Sequence, residues 1–418
     1  MKFIKKLMLN FLKFFPRREK LPQNLMAAMP FLLFFPVGFV YFGVIFFIIS
    51  WIINGGFRER WRFTCESPLF KPLVVMLGVI AFSAVFLSRS NDLRWPALAH
   101  YLIFFFLLFF ISLGAGEWQA RARKVFFAGA IYGSSIYYLS YLGLLPDWRI
   151  FKDYAIYSGN KSIALGIFLS IAAAWFLSEV LIQAKRYLFW LGILGYLYIS
   201  LAVLFLAVTR TGMLLFFVLS LLVVVRNFTL SLRGLALAVS VAIFAALAWQ
   251  FSPHLRERTL ATVLAVRVFT AGEMVAGDGN RLQFFQKTGE MILEKPLLGH
   301  GVGSWRAQYP ARAQGLETSG MSTPHNDYLL YGAELGAIGV LALVSVFFSV
   351  FRMAWRAGGT RGVQLLVIGT AFVIGCAFNA ILRDWTFGLP MVILLAVVLT
   401  GGDRRNDQTA LPQSTTSR

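Results

Sequence analysis

Acidic residues, histidines and cysteines are scarce in this chain. Its 418 residues include 19 aspartates and glutamates, four histidines and two cysteines, Cys65 and Cys376. The cysteines carry no metal-binding pattern, and Cys65 lies in a basic loop that we place in the cytoplasm, so we expect no structural disulfide. No Asp-x-Asp or similar acidic pair falls in an outward-facing segment, and Ser-His-Asp and Cys-His arrangements are missing. We therefore predict an activity that uses no metal and no other cofactor.

Charged residues of either sign are also few, and hydrophobic residues dominate. They make up 14% and 58% of the sequence, and the mean hydropathy is +0.70. These values are typical of polytopic helical membrane proteins. The net charge of +20 comes from basic residues that are scattered through the loops. We attribute it to orientation in the membrane and expect no nucleic-acid partner.

Apolar runs long enough to span a membrane predict a bundle of helices. They lie at about 69–88, 95–114, 124–145, 162–184, 187–207, 211–226, 233–251, 326–351, 362–382 and 385–400. The first apolar stretch, residues 22–54, would form a single helix of roughly 50 Å, longer than the hydrocarbon core. Pro30, Pro36 and Gly38 fall within it, so we predict two short helices that meet near Pro36. The total is twelve spans.

The distribution of basic residues supports this split, because one span fewer would place most loop arginines and lysines outside. We predict helices 1–9 over residues 21–251, a periplasmic loop over 252–324, and helices 10–12 over 325–400, with both termini in the cytoplasm. Residues 1–20 have the spacing of an amphipathic helix on the inner leaflet, although an uncleaved start sequence without further role explains them equally well. Residues 401–418 form a polar tail that we expect to be disordered.

The long loop is predicted to be partly helical. Residues 254–269 alternate arginines with apolar residues, as in a helix that rests on the membrane surface. Asn280 is a candidate N-cap for a second helix that runs from Arg281 to about Glu294. We expect the inner face of that helix to contain Leu282, Phe285, Ile292 and Leu293. The glycines at 299, 301 and 303 indicate a tight turn, because neither a strand nor a Walker lysine accompanies them.

His325 is the first candidate for chemistry. Thr323 suits an N-cap and Pro324 suits the first helical position, so we place His325 in the opening turn of a membrane helix. The positive end of that helix would keep the imidazole neutral, as a general base requires. The alternative is a histidine that only caps or hydrogen-bonds at the interface.

Two arginines are candidates for binding an anion. Arg210, in Thr209-Arg210-Thr211-Gly212, lies between two apolar runs, where a charge needs a polar cavity or a partner. A guanidinium there fits a phosphate, but it also reaches the outer headgroups. Arg281 stands at the start of a loop helix, where backbone amides would help to hold an anion, although a solvated surface arginine is the alternative. Arg383-Asp384, between the last two spans, is interpreted as a local ion pair.

Together these residues resemble the O-antigen ligase and polymerase superfamily of bacterial inner-membrane glycosyltransferases. His325-Asn326, followed after nine residues by Gly336-Ala337-Ile338-Gly339, resembles the ligase pattern of His-Asn and then Gly-x-x-Gly. Gly279-Asn280-Arg281 and residues 294–303 resemble the segment upstream of that histidine. Thr209-Arg210-Thr211-Gly212 resembles the earlier arginine motif. The resemblance covers about residues 205–340, and the layout with one large outer loop fits the whole chain.

The resemblance implies an all-α polytopic membrane protein, GT-C-like, with about twelve transmembrane helices and one long, partly helical periplasmic loop. It would transfer a glycan from undecaprenyl diphosphate to a sugar hydroxyl of lipid A-core in the inner membrane, without metal and with inversion. His325 would take the proton of the acceptor hydroxyl, and Arg210 and Arg281 would bind the diphosphate. The supporting residues would be Asn326, Asn280, Gly336 and Gly339. Glycines at 332, 336 and 339 would also let this helix pack closely on a neighbour.

Two kinds of alternative stay open. Within the superfamily, the chain would be an O-antigen polymerase or a protein O-oligosaccharyltransferase. Polymerases tend to have two large outer loops, whereas one is visible here. From another class, a flippase or transporter of the lipid-linked glycan would carry ionisable groups near the bilayer midplane. The predicted spans contain almost no such groups, which we interpret as evidence against a transporter.

Overall fold

The computed structural model describes residues 20–89, 91–146, 148, 160–182, 186–207, 209–226, 253–270 and 280–399, with a few positions between 239 and 251. This part of the chain contains helices and no strand. In chain order the α-helices are α1 (Leu21–Leu32), α2 (Val37–Asn54), α3 (Phe57–Glu66), α4 (Phe70–Phe82), α5 (Arg94–Tyr101), α6 (Ile103–Ile111), α7 (Trp118–Tyr141), α8 (Asn160–Ile182), α9 (Arg186–Leu201), α10 (Arg210–Arg226), α11 (Pro253–Thr270), α12 (Asn280–Glu294), α13 (Ser304–Arg312), α14 (Asp327–Ala357), α15 (Gly359–Phe378) and α16 (Trp385–Leu399). Short π-helical turns extend α4 and α9, and a 3₁₀ turn covers Glu317–Gly320.

Seven of the described helical segments are long and apolar enough to cross a membrane. They are Val37–Asn54, Phe70–Leu87, Arg94–Ile111, Lys161–Val180, Phe189–Leu206, Asp327–Ala357 and Gly359–Phe378. The chain is therefore an all-α polytopic membrane protein, as predicted. The predicted spans at 211–226 and 385–400 correspond to the shorter helices α10 and α16, of 17 and 15 residues. The count of twelve spans stays a prediction, since the apolar run at 233–251 and both chain ends lie largely outside the described residues.

One face of α2 is a row of exposed apolar side chains. Phe42 is 63% exposed, and Phe46 and Ile49 are turned outward with it, whereas Val44 and Phe47 are buried. A row of large apolar side chains along a whole helix would expose a continuous hydrophobic patch to water. We conclude that this face of α2 lies against lipid tails.

The predicted break near Pro36 is confirmed. α1 ends at Leu32, α2 begins at Val37, and Pro36 is extended with ψ of 141°. Proline has no N–H to donate, and its ring disfavours a helical residue before it. The carbonyl oxygens of residues 33 and 35, which the break leaves outside both helices, accept hydrogen bonds from Nζ of Lys161 at 2.9 and 2.5 Å. The ammonium group at the start of α8 thus stabilises the break.

Helix α8 is the centre of the bundle and packs against α7, α9, α10 and α15. It approaches α10 most closely where Gly166 meets Gly212, because a Cβ atom added to Gly166 would lie 3.3 Å from Cα of Gly212. Ser170 donates a hydrogen bond to the carbonyl oxygen of Gly212 at 2.8 Å. This contact fixes the first turn of α10, which begins at Arg210.

Helix α14 is kinked at Gly336, where φ is 67° and ψ is −167°. The glycine-rich loop after α12 fills the kink. On one side, the carbonyl groups of residues 333–334 accept hydrogen bonds from the N–H groups of residues 300–301, both at 2.9 Å. On the other side, the N–H groups of residues 337–338 donate to the carbonyl groups of residues 296–297. The long loop is therefore hydrogen-bonded directly into the helix that follows His325.

The expectation that three glycines of α14 serve helix packing is only partly right. A Cβ atom on Gly332 would lie 2.9 Å from Cδ1 of Ile292 on α12, so Gly332 does allow close packing. Gly336 instead adopts a backbone conformation that is almost restricted to glycine. A Cβ atom on Gly339 would first meet Leu335 of the same helix, at 2.1 Å. The kink, rather than a neighbouring helix, accounts for the second and third glycine.

Three described helices belong to the long loop. Helices were expected at 254–269 and 281–294, and α11 and α12 confirm them to within a residue. The expected inner face of α12 is only partly right, because Ile292 packs against the core while Phe285 and Leu293 are exposed. The buried residues are Gln283, Phe284, Thr288 and Met291. Stacked rings of Trp305 and Tyr309 on α13 receive this face, and Trp305 Nε1 donates to Oγ1 of Thr288 at 2.9 Å.

The expectation that the spans hold almost no buried charge is wrong. Asp327 at the start of α14 is fully buried, and Glu334, two turns later, is 4% exposed. Oδ2 of Asp327 accepts a hydrogen bond from the N–H of Leu382, and Oε2 of Glu334 accepts one from Oη of Tyr101, both at 2.8 Å. The partners lie 55 and 233 residues away in the sequence. Scarcity of buried charge therefore no longer argues against a transporter.

Gly336→Ala is expected to destabilise the protein. The added Cβ would lie 2.3 Å from the carbonyl oxygen of Leu297, and the positive φ would be strained besides. A residue held in such a conformation costs about 1–3 kcal/mol. The measurement is the thermal unfolding midpoint of the purified protein in detergent.

The matched control is Gly289→Ala, because Gly289 is helical and a Cβ atom there would meet nothing within 4 Å. This variant should unfold at the wild-type temperature or above it, since alanine is the better helix former. Equal stability of the two variants would contradict the role given to the kink.

Candidate functional site

His325 lies just before α14 and not in its first turn, which corrects the prediction. The N-cap of α14 is Asn326, whose Oδ1 accepts a hydrogen bond from the N–H of Leu329 at 2.9 Å. His325 has φ of 50°, and it is the one non-glycine residue with positive φ in the described part of the chain. Its N–H donates to Oγ1 of Thr323 at 3.3 Å. His325 is thus held in a turn, at a backbone conformation that non-glycine residues seldom adopt.

The two residues after His325 hydrogen-bond the start of α14 to the end of α15 and to the segment that follows it. Nδ2 of Asn326 donates to the carbonyl oxygen of Ala377 at the end of α15 at 2.8 Å. Asp327 accepts from the N–H of Leu382 in the connection, by which we mean residues 379–384 between α15 and α16. These bonds hold the connection beside His325.

His325 and the connection face an open cavity of about 500 Å³, which we call the His325 cavity. Its wall also includes Tyr41 of α2, His100 of α5 and residues 321–323 of the long loop. The connection contributes Asn379, Ala380, Arg383 and Asp384, and α16 contributes Trp385 and Phe387. The cavity is large enough to admit part of a sizeable ligand. Polar groups and aromatic rings line it together.

The surroundings of His325 favour the neutral imidazole. Burial lowers the pKa of His325 below its ordinary value, and the positive charges of Arg281 and Arg383 lower it further, while Asp384 opposes them. The ring of Phe284 on α12 packs edge-to-face against the imidazole, with centroids 5.7 Å apart. A neutral imidazole on the wall of an open cavity is able to accept a proton from a bound hydroxyl. Burial is the largest of these causes, and the neighbouring arginines add to it.

Arg281 lies in the first turn of α12, the helix that carries Phe284. It is close enough for its charge to act on His325, so the structure brings these two predicted residues together. Asn280, the predicted cap, is the first residue of α12 and turns its amide outward, where Nδ2 donates to Oε2 of Glu317 at 3.2 Å. The helix starts where the sequence predicts, but the described contact of Asn280 joins two parts of the long loop.

Arg210 is not among the described residues that line the His325 cavity. Its Nη1 donates to Oγ1 of Thr262 on α11 at 2.9 Å. The next residue, Thr211, accepts a hydrogen bond from Nδ2 of Asn379 on the cavity wall at 3.0 Å. Arg210 is thus one residue from a cavity contact, while its side chain joins α10 to the long loop.

Sequence reasoning missed Arg383. It was interpreted as one half of a local pair with Asp384, yet Glu334 of α14 acts on it more strongly than Asp384 does. Burial lowers the pKa of Arg383, and the charge of Glu334 is the largest influence that opposes this effect. Nothing in the sequence around Arg383 indicates that it lies near Glu334, which is 49 positions earlier. Only the fold reveals this electrostatic interaction.

His100 was also set aside, since it has no companion at metal-ligand spacing. It lines the His325 cavity, and its Nδ1 is buried with no hydrogen-bond partner among the described residues. Within that part of the chain, no group of three or more histidine, cysteine or acidic side chains is arranged to hold a metal ion. The chemistry that the described groups offer is proton transfer and anion binding.

Comparison with known proteins adds two findings. The model of a family described as O-antigen ligase matches residues 195–344. This range contains Arg210, Arg281 and His325 and ends before Arg383. An O-antigen ligase of Escherichia coli (strain K12) is 23% identical to this chain over 359 residues, which are 79% of this chain and 80% of that protein.

Arg281→Gln is expected to raise the pKa of His325, because it removes a nearby positive charge that disfavours the imidazolium. Diethyl pyrocarbonate reacts with the neutral form of imidazole and not with the imidazolium. The midpoint of its pH-dependent reaction with His325, read by peptide mass spectrometry, should therefore move to higher pH in the variant. Arg352→Gln, an exposed change far along α14, should leave the midpoint in place. An unmoved midpoint in Arg281→Gln would contradict the described electrostatics.

Proposed function

We propose that this chain is a member of the O-antigen ligase superfamily, a glycosyltransferase that joins a lipid-linked glycan to lipid A-core in lipopolysaccharide synthesis, as its similarity to that family over residues 195–344 supports. The donor is a glycan on undecaprenyl diphosphate, and the acceptor is a sugar hydroxyl. The observation that carries the proposal is that His325 and Arg383 line one open cavity, while burial and the charges of Arg281 and Arg383 favour the neutral imidazole of His325. This combination suits attack by a hydroxyl on a carbon whose leaving group is anionic.

The proposed reaction is a single displacement. The oxygen of the acceptor hydroxyl attacks the anomeric carbon and forms the new glycosidic bond. His325 takes the hydroxyl proton as that bond forms. The bond between the anomeric carbon and the diphosphate oxygen breaks, and its electron pair leaves with undecaprenyl diphosphate. Attack from the side opposite the leaving group inverts the anomeric carbon.

Arginines stabilise the leaving group in this proposal. The charge of Arg281 acts on His325. A diphosphate bonded to the reacting carbon would lie close to His325, and therefore within the influence of the same charge. A guanidinium can hold phosphate oxygens with two parallel hydrogen bonds, and its charge offsets the charge that develops as the bond breaks. Arg210 is assigned to the same diphosphate on the resemblance of its motif alone, because its side chain bonds Thr262 on α11 and is not among the described residues that line the cavity. The reaction then needs no metal ion.

A membrane location suits both substrates, because each is a lipid with a polar head. The apolar outer surface of helices such as α2 supports an enzyme embedded in a bilayer. The excess of basic residues in the predicted inner loops supports a cytoplasmic position for both termini and a periplasmic position for the long loop and the His325 cavity. We assign the chain to the bacterial inner membrane.

His325→Ala should leave a folded protein that has lost ligation by about 10²- to 10⁴-fold, the usual contribution of a general base. Arg281→Ala should lose about 10²- to 10³-fold, as when a donor to a developing negative charge is removed. The measurement is transfer of purified donor to lipid A-core in detergent, with the unfolding midpoint confirming the fold. His300→Asn is the matched control, because His300 hydrogen-bonds the carbonyl oxygen of Met291 outside the cavity. Ligation at the wild-type rate by His325→Ala would refute the catalytic assignment.

The choice of acceptor separates the proposal from its relatives. Purified protein and donor are supplied with lipid A-core, with a second donor glycan, or with a pilin-like protein. We expect product with lipid A-core alone. Product with the second glycan would identify a polymerase, and product with the protein an O-oligosaccharyltransferase. Movement of donor across a proteoliposome membrane without any new bond would identify a transporter.

A further inference from the structure

Arg383 is placed as a ligand-binding side chain and not as a surface arginine. It is largely removed from water, and it lines both the His325 cavity and a narrow cleft that adjoins it. A buried guanidinium is unfavourable unless charged and polar neighbours compensate for the lost water. The neighbours of Arg383 therefore indicate what the site is built to do.

Glu334 and Tyr101 are those neighbours. Both line the narrow cleft with Arg383, and the charge of Glu334 is the strongest opposite charge acting on Arg383. Glu334 is itself held, since Oη of Tyr101 on α5 donates to its Oε2 at 2.8 Å. A carboxyl group buried in a membrane helix is rare without a partner. Here Glu334 provides a fixed opposite charge for Arg383 in the cleft, and it is not among the described residues that line the His325 cavity.

The backbone that carries Arg383 is fixed as well. Its preceding residue, Leu382, donates its N–H to the buried Asp327. On the other side, Oδ1 of Asp384 accepts a hydrogen bond from the N–H of Thr386 at 2.9 Å, which ties the connection to the first turn of α16. The backbone beside Arg383 is thus anchored on both sides, and its side chain lines the cavity and the adjoining cleft.

Positive charge exceeds negative charge around this place. The described positive groups are Arg281 of α12, Arg306 of α13 and Arg383, and the charges of Arg306 and Arg383 repel each other. The described acidic groups that act on Arg383 are Glu334 and Asp384. Like charges brought together at a partly buried cavity disfavour the empty state, and an anionic ligand relieves the repulsion.

We propose that Arg383 binds the diphosphate of the lipid donor in the His325 cavity, and that Glu334, held by Tyr101, positions its guanidinium. This inference rests on the proposed function for the identity of the ligand. Arg383 is a substrate-binding residue that approaches from the connection, on a different element from Arg281. Glu334 and Tyr101 are positioning residues that act through Arg383.

The test compares the binding of two lipids to the full-length protein in detergent, undecaprenyl diphosphate and undecaprenol. Arg383→Ala should weaken binding of undecaprenyl diphosphate roughly 10- to 100-fold, the effect of losing a charge-assisted hydrogen bond. Binding of undecaprenol, which has no phosphate, should not change. Arg352→Ala is the matched control, because it removes an exposed arginine near the other end of α14 and should alter neither affinity.

The positioning role has its own readouts. Glu334→Gln keeps an acceptor for Tyr101 but removes the charge that faces Arg383, so it should raise KM for the donor more than it lowers kcat. Arg383→Lys should bind diphosphate more tightly than Arg383→Ala does.

The acid limb of the pH–rate profile should move to higher pH in Arg383→Ala. The charges acting on His325 are Arg281, Arg383 and Asp384, and this variant loses one of the two positive groups. The acid limb should stay in place in Glu334→Gln.

The outcomes separate this inference from the proposed function. If the wild-type protein ligates donor to lipid A-core and Arg383→Ala binds undecaprenyl diphosphate normally, the inference fails and the proposed function stands. Equal losses for both lipids in Arg383→Ala would also overturn it, because they would indicate a damaged fold. If the wild-type protein does not ligate, the proposed function fails, whereas a selective loss of diphosphate binding would still support Arg383.

Discussion

Asp327 is fully buried at the start of α14, and its carboxyl group accepts a hydrogen bond from the N–H of Leu382 in the connection between α15 and α16. Without a partner a buried carboxyl group is costly, so this bond strongly constrains how the two segments meet. It places His325, two residues before Asp327, beside Arg383, one residue after Leu382. The candidate site is therefore a junction of helix ends that one buried polar contact holds together.

Burial disfavours the charged form of both His325 and Arg383, but the two groups respond differently, and both responses suit the proposed chemistry. It disfavours the charged form of His325, which leaves the imidazole ready to accept a proton. Arg383 keeps its charge in the same surroundings because Glu334 faces it. The kink at Gly336 receives part of the long loop by hydrogen bonds. Helix α12 of the same loop, which carries Arg281, packs against α14. His325 and Arg383 thus line one cavity, and Arg281 acts on His325 from α12.

The sequence predicted helices well and side-chain partners poorly. Runs of apolar residues, with Pro36 as the break, located most of the described membrane helices but neither α3 nor α13, because hydrophobicity and backbone chemistry are local properties. The partners of Asp327 and Glu334 lie far away in the chain, so no local pattern contains them. The inner face of α12 was only partly predicted for the same reason, since the aromatic rings of α13 determine it. His325 itself was found through a resemblance and through its place at the edge of the loop.

A structure with undecaprenyl diphosphate bound tests the central assignment most directly. We expect the diphosphate in the His325 cavity, with its oxygens within hydrogen-bond distance of the guanidinium groups of Arg281 and Arg383 and its leaving oxygen next to the His325 ring. The isoprenoid tail should run between the apolar helices into the membrane. A diphosphate held elsewhere on the protein, with the cavity closed to it or empty, would contradict the assignment of these residues.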